Sequence, residues 1–341
     1  MIKTNTTQNS LTLWLKTQGV KSDLSQIIVQ LADASITIAG AIQTAALGGR
    51  VPASGSINIQ GEEQKPLDII SNDIVVKALD ELPQIAALVS EEIDELIVNK
   101  QANTNAPFIV CFDPLDGSSN IETNSAIGTI FSILERTDTH DTTSEKTVLE
   151  SAQNQVAAGY VLYGPVTILV ITTGKTVASF ILDLDTCEFV LEEKNLTVQP
   201  SAAEFAINMA YQRFWDTAIS TYVENCTAGE TGPYDKDYGM RWTGAMVADV
   251  HRLFIRGGIF IYPALAKKGA ENGKLRFLYE ANPMALLVEV AGGKAHMRDS
   301  RIAQNIPDEL HQRVPVVMGS SEEVDRLAEL YSVKALPQQA N

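Results

Sequence analysis

The chain is poor in cysteine, in positive charge and in long apolar runs, and each shortage excludes a class of protein. Its three cysteines among 341 residues, Cys111, Cys187 and Cys226, are widely spaced. They form no disulfide framework and no CxxC metal or redox pair, which predicts a reducing, cytoplasmic setting. Lysine and arginine number 26 against 42 aspartates and glutamates, a formal net charge of −16. A nucleic-acid backbone or an anionic membrane would be repelled by such a chain, so neither is expected as a partner. No unbroken run of about 18 apolar residues exists; the most apolar stretch, residues 159–173, is interrupted by Gly164, Pro165 and Thr167. Residues 1–10 are polar and lack an apolar signal core. Internal repeats and low-complexity tracts are also missing.

What is present is a hydrophobic content of 45%, enough to build full cores in about two domains. Leu24, Ile27, Ile28, Leu31, Ile38, Ala41, Ile42 and Ala45 recur at helical spacing, which predicts a long helix over residues 23–47 ended by Gly48 and Gly49. Residues 51–61, rich in small and polar types, predict a mobile surface segment. Residues 66–73 lead toward a second helix, with Ser71, Asn72 and Asp73 as strong N-cap types. A strand over 85–89 delivers Ser90, Glu91 and Glu92 at its end. Residues 135–150, rich in Thr, Asp and Glu, read as a solvated loop, and 156–192 as an antiparallel sheet of short apolar runs. From about residue 200, helical runs alternate with strands over 258–262 and 275–279, which suggests a second α/β unit.

Residues 112–120 read Phe-Asp-Pro-Leu-Asp-Gly-Ser-Ser-Asn, two carboxylates three apart after an apolar run over 108–112. Asp113 is expected where that strand ends and the chain turns. With Pro114 lacking a donor and Gly117 free to adopt a left-handed conformation, Asp113, the carbonyl of Leu115 and Asp116 can converge on one point. These are hard oxygen ligands suited to Mg²⁺ or Mn²⁺. Gly117, Ser118, Ser119 and Asn120 add backbone N–H groups and hydroxyls for phosphate, strengthened if a helix starts there. An Asx-type turn capping a helix explains any one of these residues but not the whole string. Asp68, Glu91, Glu92, Asp113, Asp116 and Glu280 could each be a surface charge. Taken together, Glu91, Glu92, Asp113, Asp116 and Glu280 follow apolar strand-like runs, where ligands sit in open α/β sheets. Clustered carboxylates repel unless cations neutralise them, and an acidic protein that binds an anionic substrate needs such an inversion of local charge.

Four strings closely resemble the class I fructose-1,6-bisphosphatases: Val89-Ser-Glu-Glu; Cys111-Phe-Asp-Pro-Leu-Asp-Gly-Ser-Ser-Asn; Ile127-Gly-Thr-Ile-Phe; and Gly273-Lys-Leu-Arg-Phe-Leu-Tyr-Glu-Ala-Asn-Pro-Met-Ala. The order and spacing hold from about residue 10 to 335. The Asp-Pro-Leu-Asp-Gly core is shared with inositol monophosphatases, whereas the long Lys-Leu-Arg segment is not. The resemblance implies an α/β (α+β) layered sandwich of the sugar-phosphatase type, with mixed sheets between helix layers. It implies an N-terminal metal-binding and effector domain (1–198), a C-terminal sugar-bisphosphate domain (199–335) and a tail (336–341). The activity implied is Mg²⁺-dependent hydrolysis of the 1-phosphate of fructose 1,6-bisphosphate, in gluconeogenesis or the Calvin cycle. Two or more Mg²⁺ ions per subunit, replaceable by Mn²⁺, are expected in a homotetramer.

Position by position, Glu91, Asp113, Asp116, Glu280 and the carbonyl of Leu115 match the family's metal ligands. Ser118 and Ser119 match its contacts to the 1-phosphate, and Glu92 and Asp68 match the carboxylates that position and deprotonate water. Glu62 stands where the family has a loop aspartate, one methylene shorter. Asn208, Tyr211, Met246, Tyr262, Lys274 and Arg276 match the positions for the sugar and its 6-phosphate, and Arg241 matches an arginine that reaches in from a neighbouring subunit. Trp242 replaces a tyrosine expected at the 6-phosphate, an indole N–H donor for a phenol. Tyr262 and Met246 also suit ordinary core packing. A Trp215-Asp-Thr-Ala string resembles a later inositol-phosphatase metal motif but lies well ahead of Glu280, and reads as a decoy. AMP-inhibited members carry phosphate donors where this chain has Lys21-Ser-Asp-Leu-Ser, Pro107-Phe108 and Glu135, which predicts insensitivity to AMP. No inserted cysteine loop is present for thiol control. A sedoheptulose-1,7-bisphosphatase, or a dual enzyme, is the nearest alternative. A catalytically silent scaffold is the remote one.

Overall fold

A computed structural model describes residues 10–47, 66–137, 143–298 and 300–333. Two short-looped sheets and three helical layers alternate, and the parity of the strand residues shows why. Strand β1 (Ile85–Ser90) is joined to the edge strand β2 (Ile97–Val98), and β3 (Phe108–Asp116) runs parallel to β1. Next come β4 (Ile127–Glu135), β5 (Gln155–Tyr163), β6 (Thr167–Thr172), β7 (Val177–Asp183) and β8 (Glu188–Leu196), each antiparallel to its predecessor. The resulting eight-stranded sheet has the order β2-β1-β3-β4-β5-β6-β7-β8. Its central strands are apolar on both faces, as strands covered on both sides must be. Val110 and Phe112 face one core, with Ile109 and Cys111 facing another.

The first of those cores lies under helices α1 (Leu11–Thr17), α2 (Ser22–Leu47) and α3 (Pro66–Leu79). By length and composition α2 is apolar enough over Ser22–Thr44 to cross a membrane. Yet Ile27, Ile28, Leu31 and Ile38 are buried in the core beneath it, which makes it the central helix of this layer. Helix α3 begins at Pro66, whose missing N–H falls among those a first turn leaves unpaired anyway. Ser71, Asn72 and Asp73, expected as caps, therefore lie inside the helix, with Ser71 and Asn72 buried. The expected loop over 135–150 is also corrected: α4 (Glu145–Ser151) starts from a reciprocal Ser144–Thr147 capping box and buries Val148.

The second core joins the two halves of the chain. It is filled by α6 (Met246–Arg256) and α7 (Asn282–Val290), held between the eight-stranded sheet and a six-stranded one. That second sheet contains β9 (Glu204–Ala206), β10 (Gly239–Met240), β11 (Ile259–Tyr262), β13 (Lys294–Met297), β14 (Ser300–Arg301) and β16 (Val316–Gly319) in the order β10-β9-β11-β16-β13-β14. Its outer face packs on α5 (Thr217–Thr227) and α8 (Ser321–Val333) around Phe205, Ile259, Ile261 and Val317. The layers therefore read helix, sheet, helix, sheet, helix. A small ladder pairs β12 (Leu275–Arg276) with β15 (Arg313–Val314). The strand expected over 275–279 ends after those two residues, and Phe277–Ala281 forms a buried π-helical turn that runs into α7.

Candidate active site

Asp113 and Asp116 reach the same point because β3 is bulged between them. Along a regular strand, residues three apart project to opposite faces. Here Asp113 pairs with Ile130 and Asp116 with Gly128, so three steps on β3 oppose two on β4. The extra residue restores both carboxylates to one face. The strand thus does not end at Asp113, as the sequence suggested, but continues buried through Asp116. Inside the bulge the Leu115 N–H donates to Asp113 Oδ1 at 2.9 Å, an Asx-type turn.

Glu280 arrives from the π-helical turn at the head of α7. Ligand oxygens of Asp113, Asp116 and Glu280 lie within 4.8 Å of one another, all three side chains buried. The end of β1 brings the remaining acids. The Glu91 N–H donates to the carbonyl of Phe112 (3.1 Å), the Glu92 N–H to Ser90 Oγ (3.2 Å), and Ser90 Oγ to Asn72 Oδ1 (2.7 Å). Asn72 is on α3, one helical turn beyond Asp68, so this bond seats the buried Asp68 face of α3 against the β1 end. A second brace is His311, whose Nε2 meets the Asp94 carbonyl at 3.1 Å and whose Nδ1 meets the Tyr279 hydroxyl at 2.8 Å. It links the turn after Glu92 to the turn that carries Glu280.

Burial and mutual repulsion dominate the charge balance of this cluster. Burial pushes the Asp113 carboxyl well above the usual carboxylate range, and Glu91, Asp116 and Glu280 push it further. Burial likewise raises Glu280 well above its ordinary value, with Glu91 and Asp116 adding to it; the Arg276 N–H and guanidinium oppose the shift. Asp116 rises to about 6, again mainly from burial, and is held down by the N–H groups of Val247 and Met246. The Val247 N–H is 2.8 Å from Asp116 Oδ2. Helix α6 has no side-chain cap from its own N-cap residue, Ala245, so Asp116 of β3 caps it instead. An all-oxygen donor set with an excess of buried negative charge fits a hard divalent cation.

The turn after Asp116 is built for close approach. Gly117 is left-handed (φ 76°), and a Cβ there would sit 2.4 Å from Ala245 Cβ. Ser118, Ser119 and Asn120 form a single 3₁₀ turn, in place of the longer helix start considered from sequence. Asn120 Nδ2 donates to the carbonyls of Ala126 (3.1 Å) and Thr243 (3.2 Å), which ties this turn to the loop before α6. In that loop Asp249 accepts from the Thr243 and Gly244 N–H groups at 2.9 and 3.2 Å.

The other expected binding positions fall on the C-terminal half. Trp242 stacks on Phe260, interplanar angle 3°, and tilts against Tyr262 at 5.7 Å, so the substituted tryptophan joins an aromatic trio. Met246 is buried at the start of α6. Asn208 caps a 3₁₀ stretch through the Ala210 N–H, and Tyr211 lies under Lys267 Nζ at 4.9 Å. Arg241 and Lys274 are exposed, whereas Arg276 is buried beside Glu280 on the acid side of the site. Asp216, in the decoy string, is the N-cap of α5. Glu62 and residues 51–61 lie outside the described residues. Sequence reasoning assigned no role to Thr129, Asp249 or His311, and gave Asn72 only that of a helix cap. A lone threonine within Ile127-Gly-Thr-Ile-Phe is a signal for the first of these; the others show none.

Two family models match the chain: "Fructose-1-6-bisphosphatase, N-terminal domain" over residues 8–194 and "Fructose-1-6-bisphosphatase, C-terminal domain" over 198–332. Among curated relatives, the "Fructose-1,6-bisphosphatase class 1" of Shewanella frigidimarina is 47% identical over 311 residues, 91% of this chain and 93% of that protein. The protein of the same name from Shewanella baltica is 48% identical over 316 residues, 93% and 96% of the two chains. Among solved structures, fructose-1,6-bisphosphatase from Leishmania major in its holo form superposes with a TM-score of 0.88 at 31% identity, covering 95% of this chain and 98% of that one.

Proposed function

The chain belongs to the class 1 fructose-1,6-bisphosphatase family, and from that premise we propose that Glu91, Asp113, Asp116, Glu280 and the Leu115 carbonyl hold two or more divalent cations, Mg²⁺ with Mn²⁺ as substitute. The enzyme hydrolyses fructose 1,6-bisphosphate. The observation that carries the cation assignment is the convergence of three buried carboxylates, their ligand oxygens within 4.8 Å of one another. Bound there, divalent cations supply charge neutralisation for the phosphoryl group and acidify water. The residues do the rest. Ser118 and Ser119, on the tight turn after Gly117, bind the 1-phosphate through hydroxyl and N–H donors. Glu92 and Asp68 orient the attacking water and take its proton. Arg276 balances Glu280.

At the far end of the sugar, Asn208, Tyr211, Tyr262, Lys274 and the Trp242 indole provide donors for hydroxyls and the 6-phosphate, with Met246 as a wall and Arg241 supplied by a neighbouring subunit. This reading makes the enzyme an oligomer, a tetramer in keeping with the resemblance, and places it in the cytoplasm. It divides the chain near residue 198 into a cation-binding half and a sugar-binding half. Glu135, exposed, and Pro107 put no donor where a nucleotide phosphate would sit, which supports insensitivity to AMP.

Phosphate release from fructose 1,6-bisphosphate and sedoheptulose 1,7-bisphosphate, with and without Mg²⁺, tests the reading. Release from the fructose ester is expected to require the metal. Glu92→Gln and Asp68→Asn, shown to be folded, are each expected to slow it by about 100-fold or more. Parental rates in both variants would remove the proton-transfer assignment.

A further inference from the structure

We propose that Thr129 is a positioning residue for the cation site, its hydroxyl holding the β3 bulge that turns Asp113 and Asp116 to the same face. The inference rests on the reading that these carboxylates bind divalent cations. The argument begins with parity. Without one extra residue between Asp113 and Asp116, their side chains would leave the sheet on opposite sides. The bulge that supplies it breaks the β3–β4 ladder at Pro114, which has no N–H and whose carbonyl needs another donor. Thr129 is the β4 residue between Ile130 and Gly128, directly across from the break, and its Oγ1 donates to the Pro114 carbonyl at 2.9 Å.

The direction of the neighbouring bond follows. A threonine hydroxyl has one hydrogen, and the carbonyl can only accept. The Tyr163 hydroxyl, 2.9 Å from the same Oγ1, must therefore be the donor to Thr129. Tyr163 also contacts Ser35 of α2, whose own hydroxyl donates to the Leu31 carbonyl at 2.8 Å, so the Tyr163 hydrogen is left for Thr129. Thr129 and Ser35 are 1% exposed and Tyr163 7%. Water has no access to replace a lost partner, so loss of the hydroxyl would leave the Pro114 carbonyl buried and unsatisfied. Relaxation of the bulge is the way to satisfy it, and that moves both carboxylates.

Calorimetric titration with Mn²⁺ in the absence of substrate tests this directly, beside kinetics as a function of Mg²⁺. Thr129→Val keeps the shape and removes the hydroxyl. It is expected to weaken Mn²⁺ binding by roughly tenfold, about 1.4 kcal/mol. The Mg²⁺ half-saturation point should rise in parallel, with the sugar KM at saturating metal within about twofold. Thr129→Ser retains the donor and should stay within about threefold of the parent. If Thr129→Val does not fold, Thr129→Cys, whose thiol is a weak donor, should lose at least about threefold. Parent-like Mn²⁺ affinity in the folded Val or Cys variant overturns the proposal, as does a Ser variant as impaired as Val. A parent protein that binds no Mn²⁺ instead overturns the cation reading itself.

Discussion

Among the described residues, buried carboxylates in two places are treated in opposite ways. Glu323, in the first turn of α8, is fully buried and has donors on every side: the hydroxyls of Tyr222 and Tyr238, both at 2.8 Å, Arg326 at 2.6 Å and Lys236 at 3.4 Å. Arg326 in turn lies over the Tyr234 ring, and Lys236 donates to Ser201. Asp113, Asp116 and Glu280 are about as deeply buried, yet burial and neighbouring acids raise Asp113 and Glu280 well above the ordinary carboxylate range, opposed at Glu280 by the Arg276 N–H and guanidinium. The same chain can therefore match a buried charge completely when the charge serves only the fold. Where it does not, the deficit marks a place for a ligand of opposite sign.

That contrast is open to breakage. The largest effect is expected from Asp113→Asn, which should lower kcat by on the order of 10³-fold while leaving the metal-free protein as stable as the parent or more so, because repulsion is relieved. A marked fall in metal-free stability would mean that the acid cluster is structural after all. Glu323→Gln should show the reverse pattern. It leaves Arg326 and Lys236 facing a neutral amide and should cost about 3–5 kcal/mol in urea unfolding, with kcat within a few-fold of the parent. Loss of activity without loss of stability would erase the distinction.

A smaller effect is carried by pH. Asp116 titrates near 6 in the fold and near its ordinary carboxylate value when unfolded. Between those values the folded, metal-free protein keeps a proton that the unfolded chain has released, so this group's contribution to stability declines as pH rises through the window and is level above it. Asp113 and Glu280 shift in the same direction. His251 and His296, lowered mainly by burial, act oppositely and lose stability on acidification. Comparing melting temperatures with and without Mg²⁺ cancels the histidines. The Mg²⁺-induced gain should be larger at pH 8 than at pH 5, and an equal gain would count against cation binding by these acids. The smallest effect belongs to the surface. Arg252 and Glu204 form a paired contact at 2.6 and 2.9 Å with side chains 40% and 24% exposed. Glu204→Gln should cost about 1 kcal/mol or less by urea unfolding; several kcal/mol would show that exposure is not what separates these classes.

Much of the framework was legible because it depends on periodicity. Helix α2, strands β1 and β3 and the sheet from β5 to β8 follow from apolar spacing over long windows. What escaped was set by pairing across the chain. The bulge at Pro114 and Leu115 exists only opposite β4, the π-helical turn at Phe277–Ala281 only against α7 and the Gln312 carbonyl, which accepts the Phe277 N–H. Helix α3 began earlier than its cap-type residues suggested, since proline is a competent first residue. In the site, Asp113, Asp116 and Glu280 converge, with Glu91 near enough to raise two of them. The groups that hold them, Asn72, Thr129 and His311, carry no local pattern of their own. A hydrogen bond to a partner over 15 or 217 residues away leaves no trace in spacing.

The contact between Asp116 and the start of α6 has a further consequence for how tightly the site grips its ion. A helix N-terminus carries roughly half a positive elementary charge, and α6 directs it at a carboxylate on the neighbouring strand β3. The same oxygen is thereby partly neutralised before any ion arrives. Such a site tolerates being empty, because some of the repulsion among its acids is already relieved. It also offers an incoming cation less than the full attraction of its charges. On the cation reading proposed above, an arrangement of this kind would favour loose, reversible loading over permanent capture, with occupancy following the free concentration of the ion.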